Sequence, residues 1–252
     1  MVHKYNQTSI SPLTDEHLES FIKCPYKIYY QHTLEGKDGD IRWKQVVQLL
    51  INQVVQAYYQ LPVKEQTKLR AFKLIDHYWS KVSLRYFQSK EKYYMILAKT
   101  TDYLLQFLST KNNEMPPLML YEKLYTYMKG LEIQFSITLE LVEWSTKSFT
   151  IKKFLVEADQ ELIELYTHLL AVFSYEAFGI LPERIEIFSL MEGEVFVTTT
   201  SVEDISKGVL YLEYMKDLFQ NGSMSDCVNC PFTDRCQEDH SIIPNRNKNK
   251  WH

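Results

Sequence analysis

The sequence predicts a single α/β domain with a helical insertion, and three observations predict it. Residues 132–144 alternate apolar and polar side chains with the period of two that a strand requires. Residues 41–61, 66–110 and 158–178 repeat their apolar side chains at helical spacing. The elements run as helices, strands, helix, strands, helix, with no internal repeat and no linker long enough to divide the chain.

Taken in order, residues 14–34 read as a helix and its exit. Thr14 can cap it, Asp15 and Glu16 suit its first turn, and Leu18, Phe21 and Ile22 fall on one face. Pro25 breaks it directly after Cys24, and residues 36–40 (GKDGD) form a loop. Val46, Leu49, Leu50 and Val54 make the apolar face of the helix over 41–61, and Pro62 separates it from the next. Phe72, Ile75, Trp79 and Val82 do the same for 66–110, where Tyr86, Phe87, Tyr93 and Tyr94 read as core rings.

The period changes after Pro116-Pro117. A strand over 118–128, a turn at Lys129-Gly130, a strand over 132–144, a turn at 145–148 and a strand over 149–156 make a three-stranded antiparallel meander. In the middle strand Ile133, Phe135, Ile137, Leu139 and Leu141 share one face. The helix over 158–178 ends at Gly179, a C-cap. Residues 184–190 and 194–200 form a hairpin around Glu192-Gly193. Ser201 or Glu203 opens a last helix that runs to Gln220 and stops at Asn221-Gly222. The chain thus divides into an N-terminal helix (1–40), a helical region (41–112), a sheet-and-helix core (116–220), a cysteine-rich tail (223–240) and a polar end (241–252).

Composition sets the broad class. The 252 residues are 45% apolar and 24% charged, with only seven glycines, which excludes disordered and low-complexity classes. No apolar run approaches the roughly 18–20 residues that span a bilayer, and the N-terminus has no apolar signal core. Four cysteines are too few for a disulfide scaffold in a chain this long. A cytoplasmic location without a membrane partner is the expectation. The net charge of −4 averages unequal parts. Residues 64–92 hold eight Lys/Arg against three acids, a local +5, and residues 157–204 hold eleven acids against Arg184, a local −10. The basic part is either a face for a polyanion or a solvated helix surface.

Cys24 stands alone, and on its own it reads as a small buried apolar residue. Cys227, Cys230 and Cys236 sit within ten polar residues, where packing gives no reason for three thiols. A CxxC pair, a third cysteine six residues on and a distant fourth complete a four-thiolate set, for zinc or for an iron–sulfur cluster. Such a clasp would tie the first helix to the end of the chain and make metal binding part of folding.

The residues around these cysteines resemble a known family. Ser9-Ile-Ser11, Leu18, Phe21 and the run Cys24-Pro25-Tyr26-Lys27-Ile28-Tyr29-Tyr30 resemble the opening of RecB-like nuclease domains, and more closely the AddB-type and CRISPR-associated exonucleases that carry a cluster. Cys24, Cys227, Cys230 and Cys236 match that frame residue by residue. The resemblance implies a 4Fe–4S cluster rather than zinc, and a PD-(D/E)xK core with a mixed sheet flanked by helices. Residues 162–166 resemble the family's QLxxY helix, with Leu162 in place of Gln and Tyr166 kept.

The family's catalysis needs two acids for Mg²⁺ or Mn²⁺ and a lysine two residues after the second acid. Here the first acid falls on Leu139 or Glu140, and no register of Thr150-Ile151-Lys152-Lys153-Phe154 gives acid-x-Lys. The helical histidine is missing, with Asn52 near its place, and Glu122 matches a glutamate often found on the first strand. His77 and His168 read as core or surface histidines. Glu122, Glu140 and Lys152 or Lys153 are the candidates for a displaced site, in which case Mg²⁺ or Mn²⁺ would be needed. The main expectation is a nuclease fold that has lost catalysis, kept its iron–sulfur staple, and binds DNA through Lys23, Lys27, Arg42, Lys44 and the basic 64–92 stretch, or holds a protein partner in a DNA-processing complex. An active metal-dependent exonuclease and a redox-sensitive interaction module are the alternatives.

Overall fold

The structure, a computed structural model, describes residues 13–14, 39–109 and 115–221. In chain order these are β1 (Leu13–Thr14), α1 (Gly39–Tyr59), α2 (Lys68–Trp79), α3 (Lys90–Ser109), β2 (Met119–Met128), β3 (Ile133–Trp144), β4 (Phe149–Leu155), α4 (Gln160–Phe178), β5 (Arg184–Ser189), β6 (Glu194–Thr199) and α5 (Val202–Asn221). The strands form one mixed sheet in the order β1-β3-β4-β5-β6, with β2 paired to β3. β2, β3 and β4 are the antiparallel meander the alternation predicts. β4 and β5 are parallel, as a crossover through α4 requires, and β5 and β6 close an antiparallel hairpin.

Each face of the sheet carries its own core. On one, Phe135, Ile137, Leu139, Ile151 and Ile187 pack against Leu165, Leu169 and Phe173 of α4 and Leu212 and Met215 of α5. On the other, Leu141, Phe154 and Phe188 meet α1 (Val47, Ile51, Val54), α2 (Ile75, Trp79) and α3 (Ile96, Leu104). The chain is therefore a sheet between two helical layers, and among the described residues no helix is long and apolar enough to cross a membrane.

Local chemistry explains most boundaries. Asp159 caps α4 by accepting from Leu162 N–H at 2.8 Å, and Gly179 ends it with φ of 73°. Gly193 turns the β5–β6 hairpin, also at φ 73°. Ser201 precedes α5, and its N–H and hydroxyl both donate to Asp204, at 2.8 and 2.9 Å.

Three expectations are corrected. The stretch 66–110 is two helices rather than one, with a 3₁₀ turn (Leu84–Tyr86) between them. Side-chain caps make the break without glycine or proline: Ser83 accepts from Arg85 N–H and Ser89 from Lys92 N–H. Thr14 lies in β1 opposite Ser136, and the rest of the predicted 14–34 helix lies outside the described residues. Leu49, Phe72 and Tyr94 are exposed, because the buried stripes run through Val47–Ile51–Val54, Ala71–Ile75–Trp79 and Ile96–Thr100–Leu104. Leu141 leaves the face it was expected to share with Leu139 and joins the opposite core.

α5 approaches α4 closely at Gly208, where a Cβ would run into the His168 carbonyl oxygen and Val172. Gly208→Ala should lower the chemical-denaturation midpoint by the equivalent of about 1–3 kcal/mol, although alanine is the better helix former by about 1 kcal/mol. Burial pushes the His168 imidazole below its ordinary value of 6.5, with Asp204 working against the shift. The unfolded chain then takes up this proton at a higher pH than the folded one, so the contribution is complete above 6.5 and declines as pH falls below it. Urea midpoints at neutral and mildly acidic pH should differ less in His168→Gln than in the unaltered protein.

Candidate functional site

β3 and β4 pair only from Trp144↔Phe149 to Leu141↔Lys152. Beyond that point the strands separate. β2 takes one edge of β3 from Ile133 to Val142, so β1, opposite Phe135 and Ser136, lies on the same edge as β4 and leaves a wedge between them.

Side chains fill the wedge and replace the missing ladder. The Glu140 carboxylate accepts from the Phe154 backbone N–H at 2.7 Å and from Lys153 Nζ at 2.6 Å. Gln48 of α1 donates to the Phe154 carbonyl at 2.7 Å and accepts from Val156 N–H at 3.0 Å. Thus the backbone groups that β3 abandons are satisfied by one glutamate and one glutamine. Gln48 also donates to Asn52 Oδ1 at 3.0 Å, and the Tyr121 hydroxyl donates to the same oxygen at 3.4 Å. The Lys153 ammonium lies 4.2 Å from the centre of the Tyr166 ring on α4.

The backbone bends to make this possible. Tyr121 has φ of 51°, in the left-handed region that a tyrosine rarely adopts, and the Tyr121–Glu140 pair is missing from an otherwise continuous β2–β3 ladder. The two strands change face together there, which is why Leu141 packs opposite to Leu139. Burial, and the Glu140 charge beside it, push the Tyr121 phenol well above the ordinary tyrosine range.

The neighbouring lysine faces the other way. Lys152 Nζ lies 2.6 Å from Glu143 and 3.8 Å from Glu186, and Arg184 holds Glu186 at 2.8 Å. Burial, then the Glu143 charge, raise the Tyr59 phenol above this cluster. The ammonium of Lys152 occupies the point where two carboxylates converge, which is where a divalent cation would have to sit. Glu140, Glu143 and Glu186 against Lys152, Lys153 and Arg184 sum to zero charge. Among the described residues, no group of three or more His, Cys, Asp or Glu side chains is placed to hold a metal ion.

The predicted site residues fare unequally. Glu140 and Lys153 meet, with Asn52 and Tyr166 in the surrounding shell. Lys152 is turned to the opposite face, and Glu122 is exposed on β2 opposite Leu139. His168 is buried and His77 exposed. Lys44 pairs with Glu157 at 2.5 Å, which offsets its charge, while Arg42 lies near the start of α1. Lys23, Lys27, Cys24, Cys227, Cys230 and Cys236 lie outside the described residues. Gln48 and Tyr121 were not singled out by the sequence. A glutamine beside the buried Val47 and Ile51 positions of α1 was the signal available for the first.

No protein-family model matches the chain, and no curated protein matches it.

Removing one member of the Glu140–Lys153 pair strands a buried charge. Lys153→Met should cost about 3–5 kcal/mol of stability. The double variant Glu140→Gln/Lys153→Met should recover part of that loss, since no charge is then left alone. Equal destabilisation of the single and double variants in urea titrations would show that the pair is uncoupled.

Proposed function

We propose that this chain is a catalytically silent relative of the RecB/AddB-like, PD-(D/E)xK iron–sulfur nucleases, which binds DNA or holds a DNA-processing complex together. One observation carries the reading: the wedge is closed by its own ion pair. Four positions that the family resemblance singles out, at Asn52, Glu140, Lys153 and Tyr166, are linked around one break in the sheet. Their convergence supports the lineage. Their chemistry argues against cleavage, because a metal pair needs surplus negative charge and this cluster has none.

The cysteine frame supports a 4Fe–4S cluster held by Cys24, Cys227, Cys230 and Cys236, with zinc as the alternative occupant of the same thiolates. For DNA, α2, the turns before and after it and the start of α3 offer Lys64, Lys68, Lys73, Lys81, Arg85 and Lys90, all exposed. Phosphate contacts from such a face would be salt-sensitive and indifferent to sequence.

The test combines three measurements on the full chain, purified without oxygen. With Mg²⁺ or Mn²⁺ supplied, single- and double-stranded DNA should stay intact. DNA affinity should fall steeply between low and moderate salt, and more steeply than in Lys68→Glu/Lys73→Glu. Iron and sulfide should be present in equal amounts and be lost in Cys24→Ser. Metal-dependent digestion that disappears in Glu140→Ala and in Lys153→Ala would overturn the reading in favour of a displaced active site.

A further inference from the structure

A hollow of about 420 Å³ opens between α4 and α5, lined by Glu164, His168, Lys207, Leu210, Tyr211 and Tyr214. Its residues are not those of the wedge, and its interpretation does not depend on nuclease descent. The His168 ring stacks on Tyr211, with centroids 5.9 Å apart and planes 22° from parallel. His168 Nδ1 lies 3.1 Å from Asp204 Oδ1, and the other oxygen of Asp204 is held by Ser201. The imidazole and the carboxylate thus lie together within the fold, and the His168 ring forms one wall of the hollow.

The lining favours a cation. Lys207 is the one cation among the lining residues, and it is tied to Glu203 at 3.0 Å. Asp204 and Glu164 also act on it, so one ammonium faces three carboxylates, a local −2. Gln160 donates to Glu164 at 2.8 Å, which orients that carboxylate without neutralising it. At the hollow, Leu210 and Tyr214 stand exposed one turn apart on α5. Two of the six lining residues, Glu164 and His168, belong to the stretch 157–204, whose net charge is −10.

These features select among occupants. A phosphate would meet the Glu164 carboxylate and only one ammonium, Lys207, which Glu203 already holds. A wholly apolar anchor would take the Glu164 carboxylate and the Lys207 ammonium out of water without offering either a hydrogen bond. A guanidinium meets every requirement: it is planar, stacks on tyrosine faces, and forks onto a carboxylate. A hollow of this size accepts such a side chain. We propose that the α4/α5 face docks a basic, amphipathic segment of a partner protein. An arginine of that segment enters the hollow between Tyr211, Tyr214 and Glu164, and an apolar residue one turn away lies on Leu210.

The test uses a short capped peptide with a central arginine and leucines one turn to either side, titrated into the full chain. Saturable binding should shift the side-chain resonances of His168, Tyr211 and Tyr214. Affinity should fall about tenfold in Glu164→Gln, which keeps the shape of the side chain and lies on an exposed face where folding is not at stake. It should fall several-fold in Leu210→Ala and rise in Lys207→Gln, since Lys207 repels the guanidinium. Replacing the peptide's arginine by lysine should weaken binding, and replacing it by leucine should abolish it. Equal binding of the leucine peptide, indifference to Glu164→Gln, or an oligonucleotide that shifts the same resonances at lower concentration would each overturn the proposal.

Discussion

The Glu140–Lys153 pair decides how the sheet of this protein can divide. A strand that leaves its neighbour exposes backbone donors and acceptors, and inside a protein each one left unmade costs about 1–3 kcal/mol. Here the vacated positions at Phe154 and Val156 lie under α1, away from solvent. Glu140 covers one and Gln48 covers two. A carboxylate buried for that purpose needs a counter-charge, and the residue opposite it on β4 is Lys153. The docking of α1, the split of β3 from β4 and the turning aside of Leu141 all follow from the same few atoms.

Such a pair adds little net stability compared with well-packed apolar residues. Its value is positional. Slipping β4 by one residue would bring Lys152 opposite Glu140 and set Lys153 opposite Leu139, four positions from Glu143. Two adjacent lysines on a strand necessarily point to opposite faces, so two carboxylates on β3, at positions of opposite facing, are needed to receive them. The left-handed Tyr121 is the strained counterpart: it lets β2 follow β3 through the change of face, and its hydroxyl reaches Asn52. Strain at Tyr121 and the buried Glu140–Lys153 charges thus meet where the strands part.

Much of the architecture was legible in the chain, because the signals were local. The alternation in 132–144, the glycines at 179 and 193 and the Asp159 cap each act within a few residues of themselves. What escaped was set by distant partners or by side chains that imitate them. The break between α2 and α3 carries serine caps instead of glycine or proline, so the apolar spacing ran on through it. The change of face at Glu140 depends on Tyr121, nineteen positions earlier. Glu140 and Lys153 were recognisable as chemically interesting, but only their cross-strand register shows that each neutralises the other.

α4 explains why the wedge and the α4/α5 hollow can coexist without sharing residues. Twelve of its residues, from Leu162 to Ser174, are buried, since the sheet covers one side and α5 the other. A helix enclosed in this way must be apolar nearly all round. Its few polar positions are then forced to be specific: Tyr166 turns its ring to Lys153, while His168, two residues on and so on a different side, turns to Asp204 and Tyr211. Gly208 permits α5 to approach closely enough for that second contact. The same enclosure separates the two regions electrically. The wedge is neutral, with each charge matched inside the sheet, whereas the outer side of α4 and α5 keeps an excess of carboxylates facing solvent. An exposed negative surface attracts cations at a distance and a sealed neutral pair attracts nothing. The chemistry left on this molecule for a partner to read therefore lies on its outer helices, not in the break in its sheet.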